Sequence, residues 1–399
     1  MTPRKLGWPE TPLAFAAAVI VIGGALLAIN LLLFAVRGHG MKLVPDLYGV
    51  VRTQNFGWTP QDILDGNFES GVAHDIGPRE PFYPAAVRLR NQLEFSLLDT
   101  SPIIREVRGR DNELLERVYL DDYCSRDLAT FLPGAPAWAA KIRQMQDKVQ
   151  AEGKVFLYVV TPSKVAQYPE WMPARWPCPS TQANRLGLVP AWNTIVQRAG
   201  IHEVDTTATL WAAHGRYPFP LFPQGGTHWN DVGSALGAQA VEAGLLHLTR
   251  DPRFTPFSFT WTLSDHPAGT DIDLASLLNV MWPPVNFTVP VIKLKEPPPP
   301  PGCRRLRIVI IGGSFMLNIE QKLDHTGCGA DAVAYEYWSV HRVTFDRGNW
   351  VVIPVDPAQR DRDLRAADVI IYEEDEQVLG HAPQGPKFYN WLMRGKDQK

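Results

Sequence analysis

The chain has 399 residues, 45% of them hydrophobic and 20% charged, with a formal net charge of −3. That length and composition supply one large core or two small ones. No stretch alternates Lys and Arg with aromatics, which excludes nucleic acid as a partner.

The first element is an apolar run from Leu13 to Val36, interrupted by Asn30. At about 1.5 Å per residue, a helix of that length crosses a hydrocarbon core of roughly 30 Å. A buried core helix would show a polar face, which this run lacks. A signal peptide has a shorter apolar core of about 7–15 residues and small residues at its cleavage site. Leu31-Leu32-Leu33-Phe34-Ala35-Val36-Arg37 offers neither, so an uncleaved anchor is expected over 13–36. Arg4 and Lys5 precede the run while Arg37 and Lys42 follow it, so the flanking charges are nearly tied. A short stub usually stays inside, which makes 1–12 cytoplasmic and the bulk of the chain external.

Residues 37–104 show no period and are expected to be a loop-rich lead-in. From about 105 helices and strands alternate. Ile142, Met145 and Val149 recur at helical spacing before Gly153, and Val155–Val160 reads as a buried strand. Helices are expected over about Thr181–Arg198 and Gly233–Leu248. Residues 250–305 form a Pro-rich insert, in which Pro297–Pro301 is expected to be extended. The rhythm then resumes with a strand at Leu306–Ile311, a helix at Met316–Leu323 and a strand at Ala332–Trp338. The helix Asp356–Ala367, the strand Asp368–Tyr372 and a tail over 386–399 complete the chain. Alternation of this kind implies an α/β domain over 105–385, a parallel sheet flanked by helices.

Cys124, Cys178, Cys303 and Cys328 are widely spaced, without the pattern of a zinc site. One or two disulfides in an oxidising compartment and four buried thiols both fit them. Neither a metal nor a cofactor is implied. Of the 13 Trp, most are expected in the core, and a minority as platforms on which sugar rings stack.

Three constellations bear on chemistry. In Ile310-Ile311-Gly312-Gly313-Ser314-Phe315 a buried strand ends in two glycines and a serine that opens a helix. Catalytic groups of open α/β sheets gather at the carboxyl ends of strands, and a helix N-terminus favours a developing negative charge. The plainer reading is that Ser314 caps its helix. In Gly225-Gly226-Thr227-His228-Trp229-Asn230 a histidine stands on a polar loop, where imidazole is suited to act as a general base. In Val160-Thr161-Pro162-Ser163-Lys164 the lysine could reach an anionic or carbonyl oxygen, although a solvated loop lysine is the plainer reading.

Taken in order, three segments resemble the SGNH-hydrolase-like domain of the alginate O-acetyltransferase (AlgJ/AlgX-like) family. They are Phe156–Lys164 with Tyr168-Pro169-Glu170 and Met172-Pro173, then Thr227-His228-Trp229, then Gly312-Gly313-Ser314-Phe315. Asp368–Glu373 with Asp375-Glu376 resembles the family's late strand and acidic segment. The resemblance spans roughly 105–380. It implies an SGNH-type fold, Ser314 as nucleophile and His228 as its base, with Gly312, Gly313, Thr227, Trp229 and Lys164 lining the site. It further implies acetyl transfer to an exported polysaccharide and a multi-span membrane acyltransferase as donor partner. The chain would be a single-pass protein of a bacterial inner membrane whose domain faces the periplasm.

One position departs from the family. Its motif commonly carries Asp two residues before the histidine, where this chain has Gly226. Asp231 approaching from elsewhere, a Ser–His dyad held by a backbone carbonyl, and a degenerate site all remain open. Asp205 fits a structural loop residue equally well. With the same Ser and His, a carbohydrate esterase is the first alternative; a non-catalytic glycan-binding or scaffold subunit is the second.

Overall fold

A strand covered on both faces needs apolar residues at consecutive positions, and Val155–Thr161 supplies them. The computed structural model describes residues 10–37, 44–49, 61, 81–98, 100–295, 298–299, 301–323, 328–346 and 349–394. They fall into two compact units, Met1–Ile103 with Ser276–Pro283, and Ile104–Ala275 with Pro284–Lys399.

In the first unit the apolar run lies in a helix, Glu10–Arg37. Its side chains are described only in part, and among the described residues no helix is long and apolar enough to cross a membrane. The expected loops of the lead-in include a helix of 15 residues, Tyr83–Leu97. Its buried Asn91 donates to the carbonyl of Leu278 at 2.8 Å. The stub before residue 10, most of the lead-in, and Pro297 and Pro300 lie outside the described residues.

The second unit contains β1 (Glu106–Arg108), β2 (Leu114–Glu116), β3 (Val155–Thr161), β4 (Glu203–Asp205), β5 (Ser258–Ser264), β6 (Val289–Lys295), β7 (Leu306–Gly312), β8 (Ala330–Glu336), β9 (His341–Asp346), β10 (Asn349–Pro354) and β11 (Val369–Asp375). Seven of them form a sheet in the order β10-β9-β8-β7-β11-β3-β4. β8, β7, β11, β3 and β4 run parallel, whereas β9 and β10 are antiparallel additions at one edge. The sheet is therefore mixed, not wholly parallel as expected. The reversal is local: Tyr337 and Trp338 take left-handed φ values of 47° and 69°, ending β8 two residues early and turning the chain into β9.

The sheet separates two apolar layers. Leu157, Val159, Ile308, Ile310 and Ile371 face the helices Thr206–Ala213, Asp231–Thr249 and Phe315–Leu323. Phe156, Tyr158, Val160, Val309, Ile311 and Tyr372 face the helices Ala135–Ala151, Gln182–Arg198 and Pro357–Ala366. The helix Gly385–Met393 closes this second layer with Phe388 and Leu392, so residues 386–393 of the segment expected as a tail pack on the core. The Pro-rich insert also carries structure, since β5 and β6 pair along their full length and a short helix, Asp273–Leu277, lies between them. The cysteines form two disulfides, Cys124–Cys178 and Cys303–Cys328.

Beneath the second layer Glu374 is fully buried. Its carboxylate accepts from Trp138 Nε1 at 2.8 Å, the Tyr372 hydroxyl at 2.6 Å and the Tyr158 hydroxyl at 3.0 Å. Removing it leaves three donors without an acceptor, each costing about 1–3 kcal/mol. Glu374→Ala is expected to lower the unfolding free energy by at least about 3 kcal/mol, read from the urea midpoint; a change under about 1 kcal/mol would refute this account.

Candidate active site

β7 ends at Gly312, and the chain turns through Gly313 and Ser314 into the helix Phe315–Leu323. The turn is held from the neighbouring strand by Glu373 of β11, whose Oε2 accepts the Gly313 N–H at 2.6 Å. Its Oε1 accepts the Thr161 hydroxyl. A Cβ at position 312 would meet Glu373 Oε2 at 2.4 Å, so only glycine fits there. Burial pushes the Glu373 carboxyl up to about 7, against the hydrogen bonds of Thr161 and Gly313.

His228 arrives from the loop before the helix Asp231–Thr249. Its Nε2 lies 2.8 Å from Ser314 Oγ, and its Nδ1 lies 2.5 Å from Oδ2 of Asp273. Ser314, His228 and Asp273 thus form a continuous relay, and all three are partly exposed. Asp273 is itself fixed, because its Oδ1 accepts the N–H groups of Thr227 at 2.9 Å and Leu274 at 2.7 Å. Burial disfavours the His228 imidazolium, but Asp273, Glu116 and Glu336 outweigh it and hold the ring's pKa above its ordinary value.

The acid on His228 is therefore Asp273, and Asp231 is corrected. Asp231 Oδ1 pairs with Lys322 Nζ at 2.9 Å and its Oδ2 accepts the Ile292 N–H at 2.9 Å. It opens a helix whose direction carries it toward β6. Asp205 caps the helix Thr206–Ala213, accepting from Thr207 N at 2.8 Å. At Gly226 a Cβ would lie 2.1 Å from the carbonyl oxygen of Thr270. The segment that delivers Asp273 occupies the space a side chain at 226 would need.

The residues expected to line the site divide. Gly313 adjoins Ser314, and Gly312 and Thr227 serve through their backbones. Trp229 is fully buried, edge-on to Phe315 with centroids 5.7 Å apart, and belongs to the core. Lys164, 2% exposed along its side chain, turns away from the reacting groups. Its ammonium donates to the carbonyls of Leu114, Pro223 and Gly226 at 2.9, 2.6 and 3.0 Å and pairs with Glu113 at 2.9 Å. It clamps the loop that carries His228.

Sequence reasoning missed Tyr337 as well as Asp273. The Tyr337 hydroxyl lies 3.7 Å from where a Cβ on Gly313 would stand, beside Ser314, and the Tyr337 N–H reaches the Gly312 carbonyl at 2.9 Å. The strained φ of Tyr337 aims the ring at the nucleophile. Burial first, then Glu336 and Glu373, push its phenol up to about 12, so it remains a donor at neutral pH. Among the described residues no group of three or more His, Cys, Asp or Glu could hold a metal ion.

Residues 126–291 match a family model described as "SGNH hydrolase-like domain, acetyltransferase AlgX". That segment holds His228 and Asp273 and stops short of Ser314. Similar solved structures include the O-acetyltransferase domain of Pseudomonas putida AlgJ, at 17% identity over 72% of this chain and 98% of that one, with a TM-score of 0.46. Pseudomonas aeruginosa AlgX is similar at 14% identity over 74% and 68%, with a TM-score of 0.47. Bacillus cereus PatB1 is similar at 9% identity over 69% of this chain and 96% of that one, with a TM-score of 0.41. No curated protein matches.

Proposed function

We propose, from the premise that this chain carries an AlgX/AlgJ-like SGNH hydrolase-like domain, that it transfers acetyl groups to hydroxyls of an exported polysaccharide through an acyl-Ser314 intermediate. The observation that carries the reading is the relay from Asp273 through His228 to Ser314, with contacts of 2.5 and 2.8 Å. His228 Nε2 takes the Ser314 proton as Oγ attacks the acetyl carbonyl, and Asp273 stabilises the imidazolium that forms. The imidazolium returns the proton to the leaving group. His228 then takes the proton of a sugar hydroxyl as its oxygen attacks the acyl-serine, and the imidazolium gives that proton to the departing Ser314 Oγ.

The helix Glu10–Arg37 is read as a single-pass anchor in a bacterial inner membrane, with the domain in the periplasm. Its support is the apolar run of Leu13–Val36, interrupted only by Asn30. Cytoplasmic acetyl-CoA does not reach such a site, so a multi-span membrane acyltransferase is proposed as the donor partner. A degenerate scaffold rested on the missing carboxylate at Gly226, and Asp273 removes that ground.

The full chain in detergent, given an aryl acetate, is expected to accumulate an acetyl adduct on Ser314, seen by mass spectrometry and absent in Ser314→Ala. Absence of the adduct in the native chain would overturn the reading. Once the adduct forms, acetate release without transfer to any oligosaccharide would make the protein an esterase.

A further inference from the structure

A second opening lies at the carboxyl edge of the sheet, on the far side of β11 from Ser314. It is a cavity of about 470 Å³ bounded by Tyr123, Arg185, Pro190, Asp205, Trp211 and Glu376. Ligands of open α/β sheets gather at this edge. Asp205 ends β4, and in the order β7-β11-β3-β4 it stands three strand spacings from β7, about 14 Å. The cavity is therefore separate from the relay but opens from the same edge.

Trp211 is the unusual member of the lining. It is 45% exposed, yet its ring is braced from behind. His214 lies against it with centroids 4.6 Å apart, Tyr168 stacks on His214 at 4.6 Å, and Trp171 stacks on Tyr168 at 4.1 Å. The Tyr168 hydroxyl accepts the Leu221 N–H at 2.8 Å, which fixes the column. An aromatic ring held in this way binds without losing much rotamer freedom. Around it stand a few polar groups. Arg185 is held by neutral partners, its guanidinium 5.6 Å from the Tyr123 ring and its Nη1 on the Ser180 carbonyl. Asp205 Oδ2 accepts from Asn193 Nδ2 at 2.6 Å, and Glu376 is paired with Arg126 at 3.2 Å. An open aromatic face with a small number of fixed polar groups is the pattern of a site for a ligand that is apolar on one face and hydroxylated at its edge. A pyranose is such a ligand.

Resting on the acyl-transfer reading, we propose that this cavity is a distal subsite for the acceptor glycan, holding one sugar unit stacked on Trp211 while another unit further along the chain meets Ser314. The C–H face of the ring covers the indole, and the hydroxyls at its edge meet Arg185 and Asp205. Binding at a distance from the reacting atoms holds the polymer at the relay.

The test is calorimetric binding of hexamers of glucose, glucosamine and glucuronate to the full chain in detergent. At least one hexamer is expected to bind, and Trp211→Ala is expected to weaken it at least about tenfold. Trp211→Tyr keeps a stacking ring and is expected to stay within about threefold of native affinity. Ala208 is exposed, lines the cavity and lies on the same helix as Trp211, so Ala208→Trp fills the space without removing any packing. It is expected to weaken binding as much as Trp211→Ala does, with thermal melts showing that each variant is folded. In acetyl transfer to the same hexamer, both weakening variants are expected to raise KM at least about tenfold and to change kcat far less. No binding by any hexamer, native affinity in Trp211→Ala or in Ala208→Trp, or a loss confined to kcat would each overturn the proposal. Failure of the acyl-transfer reading is separately visible as an absent acetyl adduct on Ser314 of the native chain, which is measured without any acceptor.

Discussion

Asp273→Asn is expected to slow acetylation of Ser314 by about 10³–10⁴-fold while leaving the fold intact. The asparagine amide can present an N–H to His228 Nδ1, which forces the ring proton onto Nε2. That nitrogen then no longer accepts from the Ser314 hydroxyl, now 2.8 Å away. Losing the carboxylate also removes a negative charge that stabilises the imidazolium. The pH profile provides a second readout. The working base is neutral imidazole, so the native rate is expected to rise with pH through the raised pKa of His228. In Asp273→Asn that inflection moves toward acid. Adding Gly226→Asp is expected not to rescue the variant, because a side chain at 226 collides with the Thr270 carbonyl. A burst assay with an aryl acetate, paired with a thermal melt, tests all three expectations. A rate loss under about tenfold in a folded variant would remove Asp273 from the relay.

The relay was half legible in the sequence. Ser314 and His228 stand out because glycines before a helix are local signals, visible in a window of six residues. Asp273 gives no such signal. It lies in a segment rich in proline and without a helical or strand period, and it reaches His228 only because Ala275 N donates to Gly225 O at 2.9 Å and pins the segment against the histidine loop. Strands β3, β7 and β11 were readable for a simpler reason, since burial on both faces makes every residue apolar. The hairpin β9–β10 was not, because its direction depends on two left-handed residues, Tyr337 and Trp338, whose side chains resemble those of an ordinary strand. Asp231 misled through proximity in sequence. A helix starting at that residue turns the carboxylate toward Lys322.

An acid placed between the histidine and the serine in chain order has a structural consequence. In the resembled family's motif, one short loop carries both acid and base, so their spacing is fixed locally. Here two segments must be held in register, and the backbone bonds of Thr227 to Asp273 and Ala275 to Gly225 do so. The His228 loop therefore depends on support from outside itself.

Lys164 is that support on the other side, and Lys164→Met is expected to cost about 3–5 kcal/mol of stability. The substitution leaves Glu113 buried without its cation and strips a shared donor from the carbonyls of Leu114, Pro223 and Gly226. Gly226 is two residues from His228, so its carbonyl finding another donor displaces the imidazole as well. A misplacement of about 1 Å at a reacting group is worth roughly 10²-fold in rate. Acylation of Ser314 is expected to fall by about that factor even at a temperature where the variant is fully folded. The double variant Lys164→Met, Glu113→Gln is expected to regain part of the stability, since the orphaned charge is gone, but not the rate, since the loop carbonyls still lack their donor. Chemical denaturation and the acylation burst separate these effects. A single variant within about 1 kcal/mol of native stability, or a double variant with native rate, would show that the clamp does not position the base.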